Sequence, residues 1–201
     1  MGNFNTAYNL TMKAEGGYAN NPNDKGGETY KGIARKKNPQ WKGWTIIDTL
    51  RKTKGFPAIL ESNKALQTLK LDFYKSEFWD KLHLDEINNQ AVTNEMFDTS
   101  VNMGQAIAAG FLQRALNTAN RNGLYYPDLE VDSKISSGGA TIKAMNKHPR
   151  PEVIYKILNS LQGMRYINIA EQNKSQEEFI NGWFDQRIAS LDLPDLNSNI
   201  A

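Results

Sequence analysis

Glu15-Gly16-Gly17-Tyr18, followed by Asp24, then Gly26-Gly27-Glu28-Thr29 and Gly32-Ile33, is the stretch on which the reading of this chain turns. As a pattern it is Glu-Gly-Gly-Tyr-x5-Asp-x-Gly-Gly-x-Thr-x-x-Gly-Ile. Upstream, Asn3 to Thr6 offer side chains that cap helix N-termini. Phe4, Ala7, Tyr8, Thr11 and Ala14 then recur at helical spacing as one mostly apolar stripe. Gly16-Gly17 is a stop signal, because glycine takes the left-handed C-cap conformation without a Cβ clash. The spacing predicts a helix that runs out at Glu15, with a second carboxyl, Asp24, in a glycine-rich turn just beyond.

A pair of carboxyl groups, one donating a proton and one activating water or steadying positive charge, is what glycosidic bond cleavage requires. The negative end of a helix disfavours an ionised carboxylate by about 0.3–1 kcal/mol, which raises the Glu15 pKa by less than about one unit. Burial would supply the rest of what a general acid needs. Each residue also has an ordinary alternative. Glu15 reads as an exposed helix-end glutamate, Asp24 as a turn residue in Asn-Pro-Asn-Asp-Lys-Gly-Gly, and Thr29 as turn or strand filler. The combination is rarer than its parts.

The motif from Glu15 to Ile33 resembles the N-terminal signature of glycoside hydrolase family 108, N-acetylmuramidases that include secretion activator proteins. The resemblance continues through Phe73-Tyr74-Lys75-Ser76-Glu77-Phe78-Trp79, similar to the family's aromatic helix. Phe97-Asp98-x-x-Val101-Asn102-x-Gly104 resembles the start of its C-terminal part, a peptidoglycan-binding region. Leu112 to Asn117, Val131-Asp132 to Ile135, and Thr141 continue that region. Phe179-Ile180-Asn181-Gly182-Trp183-Phe184-x-x-Arg187 resembles its closing motif. By this resemblance Glu15 is the catalytic glutamate. The first interval also resembles the Glu-x8-Asp-x5-Thr of phage lysozymes. Asp24 falls on that pattern; position 30 is Tyr30, and Thr29 comes one residue early. Where related repeats favour Asp-Gly, this chain has Asp132-Ser133, followed by Ser136-Ser137-Gly138-Gly139.

At 201 residues the chain is long enough for one good core or two small lobes. No apolar run approaches the roughly 18 residues of a membrane span, so no integral membrane segment is expected. The first residues have neither a basic start nor an apolar core, which argues against a signal peptide. An enzyme acting on the wall, in the periplasm or outside the cell, would then be made in the cytoplasm and leave through a holin, a secretion channel or lysis. Cysteine is absent, which excludes disulfides and thiolate chemistry. His83 and His148 have no second histidine at ligand spacing, so no metal is expected, and a surface or capping role is the better reading of each. No Gly-Lys-Ser/Thr loop supports a nucleotide, and no cofactor is expected.

Eight basic residues between Lys31 and Lys54 face one acid, Asp48, with Trp41 and Trp44 among them. Such a stretch suits stacking on sugar faces and attraction to anionic wall polymer, or a solvated loop anchored by its tryptophans. Nucleic acid ranks last.

The remainder reads as helices. Ser62 or Asn63 caps one running to about Trp79. Ile107 to Leu116 and Val153 to Met164 carry apolar stripes. Ser175-Gln176-Glu177-Glu178 reads as a capping box for a last helix. Short strand candidates are Tyr30 to Ala34, Trp44 to Ile47 and Leu129 to Val131.

The expected fold is mainly α and lysozyme-like, two lobes around a substrate cleft with at most a few short strands. The expected organisation is a hydrolase region over 1–95, a helical peptidoglycan-binding region over 96–190 packed into the same unit, and a tail over 191–201. The expected activity, with substrate supplied by the resemblance, is hydrolysis of the β-1,4 bond between N-acetylmuramic acid and N-acetylglucosamine in peptidoglycan. Glu15 is the general acid and Asp24 the water-positioning group. Thr29 is a third candidate, and Tyr18, Asn20, Asn102 and Gln105 are candidate sugar contacts, with helix capping as the alternative for the last two. A lytic transglycosylase using Glu15 alone, or a wall-binding accessory module, remain open. Direct attack by water implies that Glu15 is the more buried and lies about 6.5–9.5 Å from Asp24.

Overall fold

The computed structural model describes residues 1–12, 16–20 and 27–188. The first helix, α1, spans Phe4–Thr11, and the Asn3 side chain caps it by accepting from the Thr6 amide. A small antiparallel sheet follows, β1 (Tyr18–Ala19), β2 (Thr29–Tyr30) and β3 (Ile33–Ala34), in the order β1-β2-β3. Tyr30 pairs with Ile33, leaving Lys31-Gly32 as a two-residue turn with φ of 46° and 81°. Positive φ at both central residues marks the hairpin turn whose twist matches its strands. Tyr30 to Ala34 is therefore a hairpin rather than a single strand.

Helices α2 (Gly43–Leu50), α3 (Ile59–Ser62) and α4 (Lys64–Tyr74) complete the first part. Asn63 caps α4 through the Leu66 amide, as the sequence implies. The helix then loosens into a π-helical turn, Lys75–Trp79. The strand expected at Trp44 to Ile47 is helix instead, because Trp44 and Ile47, three positions apart, are the pair that faces the core. Leu129 to Val131 is not a strand either. Both backbone bonds of Leu129 go to the Asn117 side chain, at 2.8 Å each, so no partner strand is needed.

The second part is α5 (Gln90–Met103), α6 (Gln105–Thr118), α7 (Ala140–Lys147), α8 (Pro151–Gln172) and α9 (Ile180–Arg187). Helix α5 is the spine, with α1, α6 and α8 packed on it. Gly104 separates α5 from α6 with φ of 96°, a left-handed position suited to glycine. Pro151 sits in the first turn of α8, where its missing N–H costs nothing. The expected capping box fails: Asn173, not Ser175, is the cap, and a 3-10 turn over Lys174–Phe179 leads into α9. His148 is a cap, as one of the two expected readings has it, but a buried one: it ends α7, with Nδ1 accepting from the Arg150 amide and the second ring nitrogen beside the Ala119 carbonyl. The architecture is mainly α, as expected, with its few strands gathered in one sheet.

Aromatic contacts join the two parts. Phe4 meets Phe97 and Trp79 edge-on at 5.7 and 5.8 Å, and Tyr8 meets Tyr74 at 5.7 Å. Trp41 packs between Tyr30, Trp44 and Phe73, and the Trp41 and Trp44 indoles donate to the Leu69 and Asn38 carbonyls. Both tryptophans of the basic stretch are thus anchors.

Trp79 is 1% exposed at the centre of this array. Trp79→Ala is expected to cost about 3–5 kcal/mol of unfolding free energy in a denaturant titration. A loss below roughly 1 kcal/mol would remove the array from the core of the fold.

Candidate active site

A cleft of about 510 Å³ opens between the sheet and the helices. Gly32, Ala34, Lys37 and Asn38 form one wall, Phe73 to Phe78 the floor, and Ser100 to Gln105 the other wall. The hairpin wall is held by its backbone. Lys31 donates its amide to the Gly17 carbonyl at 3.0 Å and accepts the Tyr74 hydroxyl at 2.6 Å.

Asn102 and Gln105 are brought together on the wall formed by the α5–α6 junction. Asn102 donates Nδ2 to the Asp98 carbonyl at 2.8 Å, one turn back in its own helix. Gln105 donates Nε2 to the Glu77 carbonyl at 2.7 Å, stitching α6 to the π-helical turn. Each amide keeps an oxygen and a second N–H for the cleft. Tyr18, Asn20 and Thr29 lie on or beside the sheet and do not line this cleft. The Tyr18 hydroxyl donates to Glu28 at 3.0 Å and accepts from Arg51 at 2.9 Å, while its ring packs on Phe56. Thr29 donates to the Gly27 carbonyl at 3.3 Å. Asn20 is exposed. Glu15 and Asp24 lie outside the described residues, and with them the expected carboxyl separation and relative burial.

The residues around Tyr18 form an ion network. Glu28 takes Arg35 and Arg51 at 2.8 and 2.6 Å, and Arg35 also grips Asp48 through both terminal nitrogens. Arg35 and then Arg51 hold the Asp48 carboxyl below its usual range. Two cations of the basic stretch are therefore committed to ion pairs within the chain, and Lys31 pairs with Glu61.

Glu77 is a cleft residue that the sequence reading took only as part of an aromatic helix. It sits on the π-helical turn, a distortion frequent at functional sites, and its carboxylate pairs with Lys81. Its signal was the lone acid inside Phe73 to Trp79.

A second cavity, about 500 Å³, opens on the far side of α5. Glu95 lines it at 6% exposure, with Asn159 Nδ2 at 3.4 Å from both carboxylate oxygens. Burial, then the nearby Asp98 charge, pushes its pKa up to about 8. Asp98 itself pairs with Arg187 at 2.8 Å and accepts from Gln162 at 2.8 Å. No grouping of His, Asp or Glu suited to a metal ion occurs among the described residues, and no described helix is long and apolar enough to cross a membrane.

Residues 8–104 match the family model described as glycosyl hydrolase 108, and residues 107–188 match the one described as a predicted peptidoglycan domain. A solved structure, described as that of Brucella abortus SagA, is similar at a TM-score of 0.58 and 21% identity, over 90% of this chain and 87% of that one. At that identity the likeness is one of fold. No curated protein matches the sequence.

The buried Glu95 carries a pH signature. Its carboxyl titrates at about 8 folded, against an ordinary value of 4.5. Between these values the folded chain holds a proton that the unfolded chain releases, so its contribution to stability is lost as pH rises through that window. Glu95→Gln should flatten this slope and melt several degrees, roughly 2–8 °C, above wild type at pH 8. Thermal melts of both proteins from pH 5 to 9 check this; parallel profiles would place the Glu95 carboxyl in an ordinary environment.

Proposed function

Residues 8–104 of this chain belong to the glycosyl hydrolase 108 family and residues 107–188 to the predicted peptidoglycan domain family, and from that premise we propose that the protein is a muramidase, cleaving the β-1,4 bond between N-acetylmuramic acid and N-acetylglucosamine. The observation that carries the reading is the cleft formed by the 8–104 segment and closed at its edge by Gln105, with amides on its wall and aromatic rings on its floor. Amides suit sugar hydroxyl and acetamido groups, and rings suit sugar faces.

Glu15 is the proposed general acid and protonates the leaving oxygen. Asp24 holds the attacking water or steadies positive charge on the sugar ring. Support comes from the motif and from its described flank: Gly17 is hydrogen-bonded to Lys31, next to Gly32 at the cleft wall. Asn102 and Gln105 are the leading sugar contacts. Tyr18, Asn20 and Thr29 come second, since the Tyr18 hydroxyl is already taken by Glu28 and Arg51. The two matched segments act as one unit, and the site of action is the cell wall, reached after export or lysis.

Digestion of purified peptidoglycan followed by mass spectrometry tests the reading. Reducing muropeptides are expected. Anhydro-sugar products would convert the enzyme to a lytic transglycosylase, and no products would leave a wall-binding module. Glu15→Gln should lower turnover by roughly 10²-fold or more with an unchanged melting temperature. Asp24→Asn should impair hydrolysis severely, and full activity in that variant would reduce Asp24 to a turn residue.

A further inference from the structure

A second basin of about 340 Å³ adjoins the cleft, and Gln105 lines both. Lys81 and Leu82 form one side of it, and Ser133, Lys134 and Ile135 the other. The Ser133 loop is rigidly placed. The buried side chain of Gln113 accepts from the Ser133 amide at 2.9 Å and donates to the Lys134 carbonyl at 2.9 Å and to Asp132 at 2.6 Å. Ser133 adopts φ of 61°, where glycine would be unstrained. Its hydroxyl packs so closely on α6 that a Cβ at Gly110 would come within 2.9 Å of it.

The charges in the basin are unequal. Lys81 is paired with Glu77. Asp132, beside Lys134 in sequence, is held by Gln113 and by the Lys134 amide, which, with a smaller contribution from the Lys134 charge, keep its carboxyl below the usual range. The Lys134 side chain stands exposed at the basin edge.

We propose that this basin is a subsite for the carboxylate-bearing peptide stem of a glycan strand seated in the cleft. Lys134 is its main cationic contact, and Lys81, already neutralised by Glu77, contributes less. The proposal rests on the reading of the cleft as a peptidoglycan site. A carboxylate on the lactyl ether stays beside its sugar ring, on the cleft side of Gln105. A group that passes Gln105 must extend several bonds further, as a peptide does. The Gln105 amide adds a hydrogen-bonding partner for its peptide groups.

Three soluble strands test this: one bearing peptide stems, the same strand with stems removed by an amidase and its lactyl carboxylates kept, and a neutral N-acetylglucosamine oligomer. Binding by calorimetry and cleavage by mass spectrometry are measured for wild type, Lys134→Gln and the Lys81→Gln/Lys134→Gln double variant. Wild type is expected to bind the stem-bearing strand about tenfold tighter than the stripped one, which is about 1.4 kcal/mol. Lys134→Gln should erase most of that preference through KM, with kcat and stripped-strand binding unchanged, and the double variant should erase the rest. Wild type without the preference, or Lys134→Gln retaining it, overturns the subsite. An equal loss on the stripped strand also overturns it and assigns the lysine to the lactyl carboxylate. Cleavage with no preference leaves the hydrolase standing without the subsite. Selective binding that Lys134→Gln abolishes, with no cleavage of any strand, leaves the subsite standing without the hydrolase.

Discussion

The cleft exists because a run of aromatic side chains fixes the sheet to the helical part. From β2 to α5 the contacts pass through Tyr30, Trp41, Phe73, Tyr74, Tyr8, Phe4 and Phe97, each to the next within 6.3 Å. Pairs of this kind contribute about 0.5–1.5 kcal/mol each beyond the area they bury. Rigidity matters more here than the sum. A sheet of two-residue strands has too few ladder bonds to hold its own position, so the rings set where the hairpin stands opposite the α5–α6 junction. The Tyr74 hydroxyl, bonded to the Lys31 carbonyl, ties that array directly to the hairpin tip.

On the other side of α5 the fastening is polar. Asp98 joins Arg187 across 89 positions of sequence and Gln162 across 64. Both ends of the ion pair are largely buried, at 15% and 10% side-chain exposure. Breaking such a pair leaves an uncompensated charge, so it fixes which surface of α9 faces α5 even where its net contribution to stability is small. The pair spans the two matched segments: Asp98 lies in the hydrolase part and Arg187 at the end of the peptidoglycan part. Glu95, one turn before Asp98, sits against this charge and in low dielectric, and its raised pKa follows from both.

Much of this was legible in sequence, and the misses have physical causes. The caps at Asn3 and Asn63 and the stripes of α4, α6 and α8 follow from local chemistry that tertiary packing did not override. Asp98 and Arg187 were both inside quoted motifs, yet their pairing is a fact of topology that no local pattern encodes. Trp44 to Ile47 is ambiguous, because four residues, three of them β-branched, are too few to separate the two periodicities. Leu129 to Val131 has strand-like residues, but a side chain supplies the partner that a strand would. Ser175-Gln176-Glu177-Glu178 has the letters of a capping box while Asn173, two residues earlier, takes the amide. Glu95 left no sequence signal, since its burial depends on α8 and α9 folding over it.

The cleft wall also explains why amides, rather than charges, suit this position. Asn102 and Gln105 each spend one N–H on a backbone carbonyl, and those bonds hold their planes at set angles. The remaining oxygen and N–H of each amide are an acceptor and a donor at the cleft lining. A sugar hydroxyl can satisfy both at once, and an acetamido group presents the complementary pair. A charged side chain there would bind either partner more strongly but would lose far more on desolvation when a neutral sugar displaced its water. Beyond Gln105 stands the exposed Lys134, while the one carboxylate in the cleft among the described residues, Glu77, is balanced by Lys81. Gln105, which reaches across to the Glu77 carbonyl, lines both hollows and so marks the boundary between the amide wall and the outer basin.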